Sequence, residues 1–177
     1  MASLASGKTL DVGFAKLPNP YLMGNIIGID LIPVPCPPNY AGVVTGDVAH
    51  PSFREGFFDT VLAGELIEHL ENHLKFLRDC RRLLRLGGRL IVSTPNPYFP
   101  PVIFLNWFMV RKFYYSPNHV FEIAPRFMLR FLEQNGFRLQ KMLPVGAVVP
   151  IGSRHFVTIP LPWFLSYQII YVAEAVV

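Results

Sequence analysis

Short stretches that are apolar almost throughout, rather than alternating, recur along this chain, and they limit its fold more than any other feature. Residues 9–12 run into Gly13, and residues 25–30 end on Asp30. Residues 41–46 are closed by Asp47, residues 57–63 run into Gly64, and residues 89–94 follow the Gly87-Gly88 pair. An unbroken apolar run suits a strand buried on both faces, the situation inside a parallel sheet flanked by other layers. Two helical patterns interleave with these runs. In residues 68–86, Leu70, Leu74, Leu77 and Leu84 form an apolar stripe, and Gly87-Gly88 supplies a C-terminal stop. Residues 125–134 open with Pro125 and stop at Asn135-Gly136.

The expected fold is therefore α/β: a Rossmann-like, doubly wound, mostly parallel sheet with a C-terminal antiparallel strand and a reduced N-terminal part. The antiparallel element is expected from residues 137–143 and 167–173, two β-rich runs separated by a proline-rich stretch. Between the fifth run and the second helix lies an aromatic, proline-rich segment, residues 95–115, too long for an ordinary connection.

The chain has 177 residues, enough for one domain with a real core, and no linker or repeat divides residues 1–177. Half of it is apolar, at 51%, and its mean hydropathy is +0.35, so some apolar surface is expected to face a lid, a partner or a membrane. The net charge is +4, with bases scattered along the chain. Its densest basic set, Arg78, Arg81, Arg82, Arg85 and Arg89, has the spacing of the wet face of a helix, so no nucleic-acid partner is expected. Cys36 and Cys80 form no CxxC pair and imply neither zinc nor a disulfide framework. Residues 1–8 lack the apolar run of a secretory signal, and residues 98–110 and 143–165 are too short or too interrupted to cross a bilayer. A cytoplasmic location is the expectation.

Asp11-Val12-Gly13 at one strand end and Gly28-Ile29-Asp30 at the next form a nucleotide-cofactor arrangement. Glycine lets the backbone approach a ligand, and a second carboxylate can accept from both hydroxyls of a ribose. Many α/β proteins carry such a pair. Here it is followed in order by Gly46-Asp47, Phe58-Asp59-Thr60-Val61, Glu65-Leu66-Ile67-Glu68-His69, the segment 82–92 around Gly87-Gly88, Asn118-His119-Val120-Phe121 and the segment 131–137. Taken together these resemble the class I S-adenosylmethionine-dependent methyltransferase family, in the branch of the ubiquinone-pathway O-methyltransferases, from about residue 8 to 143. The resemblance implies S-adenosyl-L-methionine as cofactor and methyl transfer to a small, apolar or aromatic acceptor. It implies that Asp11 and Gly13 contact the amino-acid part of the cofactor, and Ala15, small enough for close approach, is expected in the same cofactor-binding set. It also implies that Asp30 holds the ribose, that Asp47 faces the adenine amine, and that Gly64 and Glu65 line the sulfonium side.

The glycine loop departs from the family pattern. Where the family reads Gly-x-Gly-x-Gly, this chain reads Gly13-Phe14-Ala15-Lys16-Leu17, followed by Pro18 and Pro20, which leave little room for the usual first helix. The helix that normally precedes strand one is not expected within residues 1–8. A catalytically degraded cofactor-binding or interaction module is thus the alternative reading, and an NAD(P)-dependent oxidoreductase a further one. Glu65, Glu68 and His69 would share a face of one helical turn and could hold a divalent metal, as the matching residues do in the ubiquinone-pathway relatives. The preferred reading is that no metal is bound, with His69 facing the substrate. His69 and His119 are the candidate catalytic bases. The aromatics Tyr98, Phe99, Trp107, Phe108, Phe113, Tyr114 and Tyr115 suit either core packing or an acceptor pocket. Contact with a membrane surface or lipid, and a homodimer interface, are the remaining partner readings.

Overall fold

The computed structural model describes residues 1–47, 53–108, 121–151 and 155–177. Strands β1 (Thr9–Val12), β2 (Ile26–Asp30), β3 (Gly42–Thr45), β4 (Phe58–Gly64), β5 (Leu84–Pro95) and β6 (Phe137–Pro144) come first along the chain. A hairpin, β7 (Ala147–Ile151) and β8 (His155–Ile159), and then β9 (Gln168–Ala175) follow. Seven of these strands form one sheet in the order β3-β2-β1-β4-β5-β9-β6. Strands β1 to β5 pair in parallel, whereas β9 runs antiparallel to both β5 and β6. The chain thus winds from β1 outward to β3, crosses back to β4 beside β1, and winds the other way. That reversal leaves a crevice at the C-terminal ends of β1 and β4.

The two faces of the sheet are covered differently. Helices α1 (His73–Leu83) and α3 (Pro125–Gln134) cover one face. Their Phe76, Leu77, Cys80, Met128 and Leu132 pack with Leu10, Val12, Val61, Ala63, Leu90, Val92 and Tyr171. On the other face Leu62, Ile91 and Val172 stand in one row across β4, β5 and β9. They are covered by Phe14, Leu22 and Tyr40, with Met1, Leu4 and Val34 alongside, all from turns and loops. Among the described residues no helix lies between β1 and β2, as the prolines there led us to expect.

The expected helix over 68–86 is shorter at both ends. Asn72 caps it, its side chain accepting the Lys75 N–H at 2.9 Å, so α1 starts at His73 and Ile67–His69 form a separate single turn. At the other end Leu84 is already extended and pairs with Phe58. Gly87-Gly88 is therefore no helix stop. It lies in a bulge where residues 85–88 stand opposite Asp59, before Arg89 resumes the pairing with Thr60. Gly87 has φ +73°, and a Cβ on Gly88 would stand 2.9 Å from the Arg85 carbonyl oxygen. Arg85 and Arg89 consequently sit on β5 and not on a wet helix face. Arg85 pairs with Asp59, and Arg81 binds the Val176 carbonyl at 2.8 Å. The aromatic insert carries a further short helix, α2 (Pro100–Phe108). The expected terminal pair is β6 with β9, and the proline-rich stretch between them holds the β7–β8 hairpin, which periodicity did not suggest.

Candidate functional site

The crevice at the β1/β4 switch holds a pocket of about 430 Å³, lined by Asp11 to Phe14, Lys16, Leu17, Asp30 to Ile32, Gly64 to Leu66, His69 and Leu70, among others. Its floor is backbone. Gly13 has φ +75°, and a Cβ there would meet Leu66 Cδ1 at 3.0 Å, so glycine is needed both for conformation and for space. The Gly13 N–H donates to the Ile29 carbonyl at 2.9 Å, tying the turn after β1 to β2.

Asp30 ends β2 at the pocket wall. Its Oδ2 accepts the Ala15 N–H at 2.9 Å and its Oδ1 the Ile32 N–H at 3.0 Å. Each oxygen keeps a lone pair for a ligand hydroxyl, and the backbone bonds hold the carboxylate still. Ala15 is therefore placed beside Asp30 but outside the lining, and it acts on the pocket through its N–H. Asp11 is buried and accepts a hydrogen bond from the Tyr40 hydroxyl. Burial pushes its carboxyl up to about 6, against the pull of the Tyr40 bond. Asp47 follows β3 and does not line the pocket.

On the β4 side, Glu65 adopts a left-handed conformation, φ +49°, unusual for a residue with a side chain. Its Oε1 accepts from Gln168 Nε2 at 2.6 Å and from Ser93 Oγ at 3.1 Å. The carboxylate thus links the end of β4 to β5 and β9. Burial raises its pKa, while the bonds from Gln168 and Ser93 and the nearby His69 lower it. Glu68 is 1% exposed, and among the described residues neither carboxyl oxygen has a hydrogen-bond partner. Burial, and then the charge of Glu65, push it up to about 8, so it is neutral at pH 7.

The expected helical face for Glu65, Glu68 and His69 does not form, because Glu65 precedes the Ile67–His69 turn. Among the described residues no three His, Cys, Asp or Glu side chains are placed to hold a metal ion. His69 does line the pocket. His119 lies outside the described residues, as do Phe113, Tyr114 and Tyr115. Of the aromatics, Tyr98 packs edge-on against Trp163 at 6.0 Å, and Phe99 against Tyr167 at 6.4 Å. Asn96 supports this cluster by donating to the Trp163 and Ser166 carbonyls at 2.7 and 2.8 Å.

Several site residues had no separate signal in the sequence. Ser93 and Gln168 sit inside strand patterns where alternation gives only their face. Tyr40 lies in a proline-rich loop 29 residues from its partner Asp11. Leu70 reads as part of a helix stripe but lines the pocket, and so does Leu66 just before that stripe.

Residues 10–92 match the family model described as a methyltransferase domain. A probable S-adenosylmethionine-dependent methyltransferase of Mycolicibacterium smegmatis is 30% identical over 114 residues, covering 62% of this chain and 41% of its own. The ubiquinone biosynthesis O-methyltransferase of Cereibacter sphaeroides is 32% identical over 75 residues, covering 40% of this chain and 29% of its own. The chain thus spans well under half the length of either curated relative. The crystal structure of a putative methyltransferase from Bacillus halodurans shares the fold, with a TM-score of 0.64 at 16% identity over 96% of this chain and 93% of that one.

Proposed function

We propose that the chain is a class I S-adenosylmethionine-dependent methyltransferase acting as a single domain, transferring a methyl group to a small apolar or aromatic acceptor in the cytoplasm. This reading is supported by the match of residues 10–92 to the methyltransferase domain model and by the S-adenosylmethionine-dependent relatives. The observation that carries this reading is the switch-point pocket, where Asp11, Gly13 and Asp30 converge.

The residues present fit S-adenosyl-L-methionine. The pocket has the size of a small-molecule site. Two of its three carboxylates, Asp11 and Asp30, stand on adjacent strands, and the Gly13 turn leaves backbone where a side chain would fill the space. When bound, the cofactor supplies a methyl group already activated by a positively charged sulfur. In the proposed arrangement Asp30 accepts from the ribose hydroxyls, while Asp11 and Gly13 hold the amino-acid end. Gly64 and Glu65 line the sulfonium side, and Leu31, Ile32, Leu66 and Leu70 exclude water. Asp47 does not line the pocket, and its proposed adenine contact rests on the sequence resemblance alone. The protein's contribution is then mainly to position the acceptor in line and to keep the reaction dry. For a hydroxyl acceptor, His69 is the proposed base from within the pocket, and His119 is the second candidate on sequence grounds.

One observation favours the rival reading, a non-catalytic cofactor-binding module. The lining residue Leu17 is 87% exposed, and the segment between β1 and β2 that carries it holds no helix. Calorimetric titration with S-adenosylmethionine, S-adenosylhomocysteine and NAD, followed by a methyl-transfer assay, separates the readings. Binding of the first two but not NAD, with turnover, is the expected result. Binding without turnover on any small acceptor would favour the module.

A further inference from the structure

The segment between β1 and β2, residues 13–25, must hold the cofactor turn in place without a helix to stiffen it. Its ends are tied down, the Gly13 N–H to the Ile29 carbonyl and the Asn25 carbonyl to the Thr9 N–H, each at 2.9 Å. Between them few backbone bonds hold it: Leu17 N–H to the Phe14 carbonyl at 3.1 Å, and Leu22 N–H to the Asn19 carbonyl at 3.3 Å. The stiffening comes from the next loop. Asn39 Nδ2 donates to the Asn19 and Leu22 carbonyls at 3.1 and 3.0 Å, clamping the segment at two points. The Tyr40 hydroxyl accepts the Asn19 N–H at 3.4 Å and donates to Asp11. Its ring lies 5.3 Å from the ring of Phe14. Phe14 in turn rests on the bare backbone of Gly28, where a Cβ would stand 2.6 Å from its ring.

The loop that supplies these groups is itself stiff. Four prolines, Pro33, Pro35, Pro37 and Pro38, precede Asn39, and the Tyr40 N–H closes a turn onto the Pro37 carbonyl at 2.9 Å. Tyr40 is 7% exposed, so its hydroxyl is directed inward. We propose that Asn39 and Tyr40 are positioning residues for the cofactor, clamping the helix-less segment after β1 and aiming the Asp11 carboxylate into the pocket. The proposal rests on the placement of the cofactor at Asp11 given above.

This contact also has an electrostatic consequence. A hydroxyl donates more strongly to a carboxylate than to a carboxylic acid, so the Tyr40 bond favours ionised Asp11 against the effect of burial. The other ionisable groups around the pocket are Lys16, Asp30, Glu65, His69 and the Met1 amino group. Only Asp11 touches Tyr40 among the hydrogen bonds described for these groups.

The test is S-adenosylhomocysteine affinity measured by calorimetry between about pH 5 and 9 for the wild type, Tyr40→Phe, Asn39→Ala and Asp11→Asn, each checked for folding by circular dichroism. Wild-type affinity is expected to fall roughly tenfold per unit below the Asp11 transition. Asp11→Asn loses that step, whereas a step belonging to any other group would persist in it. In Tyr40→Phe the step moves up by about one pH unit. In Asn39→Ala affinity drops several-fold at every pH and the step stays in place. A step unmoved in Tyr40→Phe, or an equal loss at every pH in that variant, overturns the proposal. Should Tyr40→Phe not fold, unchanged affinity in Asn39→Ala overturns it instead. A wild-type chain that binds S-adenosylhomocysteine at no pH would refute the cofactor site itself. Binding with an unmoved step refutes only the role of Tyr40.

Discussion

Asp30 accepts a backbone N–H on each oxygen, from Ala15 and Ile32, and so cannot turn away from a ligand without breaking one of those bonds. Its replacement by alanine removes the proposed ribose contact and leaves the ligand hydroxyls without their acceptor. We expect Asp30→Ala to weaken S-adenosylhomocysteine binding more than tenfold, or about 1.5–3 kcal/mol. Unchanged affinity in a folded variant would remove Asp30 from the site. Glu68 makes a second residue-level case, because it is buried with both oxygens unpartnered among the described residues. Its folded pKa of about 8 lies above the ordinary value of 4.5. Unfolded chains release this proton first, so stability is highest below the ordinary value and falls as pH rises toward 8. Glu68→Gln is neutral at every pH. It should raise the melting temperature over wild type at pH 8 and lose most of that advantage at pH 5. An equal difference at both values would contradict the burial effect. Asp11, Gly13 and Asp30 were legible in the sequence because strand ends advertise themselves by an acid or a glycine after an apolar run. Tyr40 and Gln168 were not, since their partners Asp11 and Glu65 are brought near only by the folded sheet.

The elements themselves were legible where a local signal sets the boundary. β1 and α3 fall on residues 9–12 and 125–134 as periodicity and the Pro125 and Asn135-Gly136 punctuation indicate. α1 was misjudged because its apolar stripe continues into Leu84, which serves the strand core instead, and because Asn72 is an N-cap inside the apparent helix. Asn72→Ala should cost about 1 kcal/mol in denaturant unfolding, as loss of a cap usually does. A cost near zero would mean that tertiary packing alone sets the start of α1. The same shortening separates Glu65 from the Ile67–His69 turn, which removes the helical geometry behind a metal-site reading. Methyl transfer should accordingly survive EDTA. Loss of activity restored by magnesium or manganese would show that these residues rearrange around an ion.

At the scale of the whole molecule, the exposed apolar side chains among the described residues fall mainly in two groups, one on residues 17–32 and one in the segments that sequence periodicity explained least. Both tryptophans of the chain lie there, Trp107 80% exposed and Trp163 40% exposed, together with Phe104 and Phe164 at 60% and 48%. Asn96, which follows β5, ties the turn around Trp163 to the C-terminal end of that strand, the edge where ligands of open α/β sheets bind. Of the candidate partners, this arrangement favours an apolar or aromatic small molecule, including one with a lipid tail, over a nucleic acid. Contact with a membrane surface would use the same exposed aromatics, although no described helix is long and apolar enough to cross a membrane. A homodimer would cover them instead. Methyl transfer should therefore be measured to quinol-like and prenylated phenols and to RNA, with sedimentation of the ligand-free chain alongside. We expect turnover on an apolar phenol and none on RNA. Methylation of RNA alone would sink the apolar-acceptor reading. A tight dimer in which Trp107 and Trp163 lose their solvent-quenchable fluorescence would assign the patch to self-association, because one surface cannot be sealed by a second copy and remain open to an acceptor.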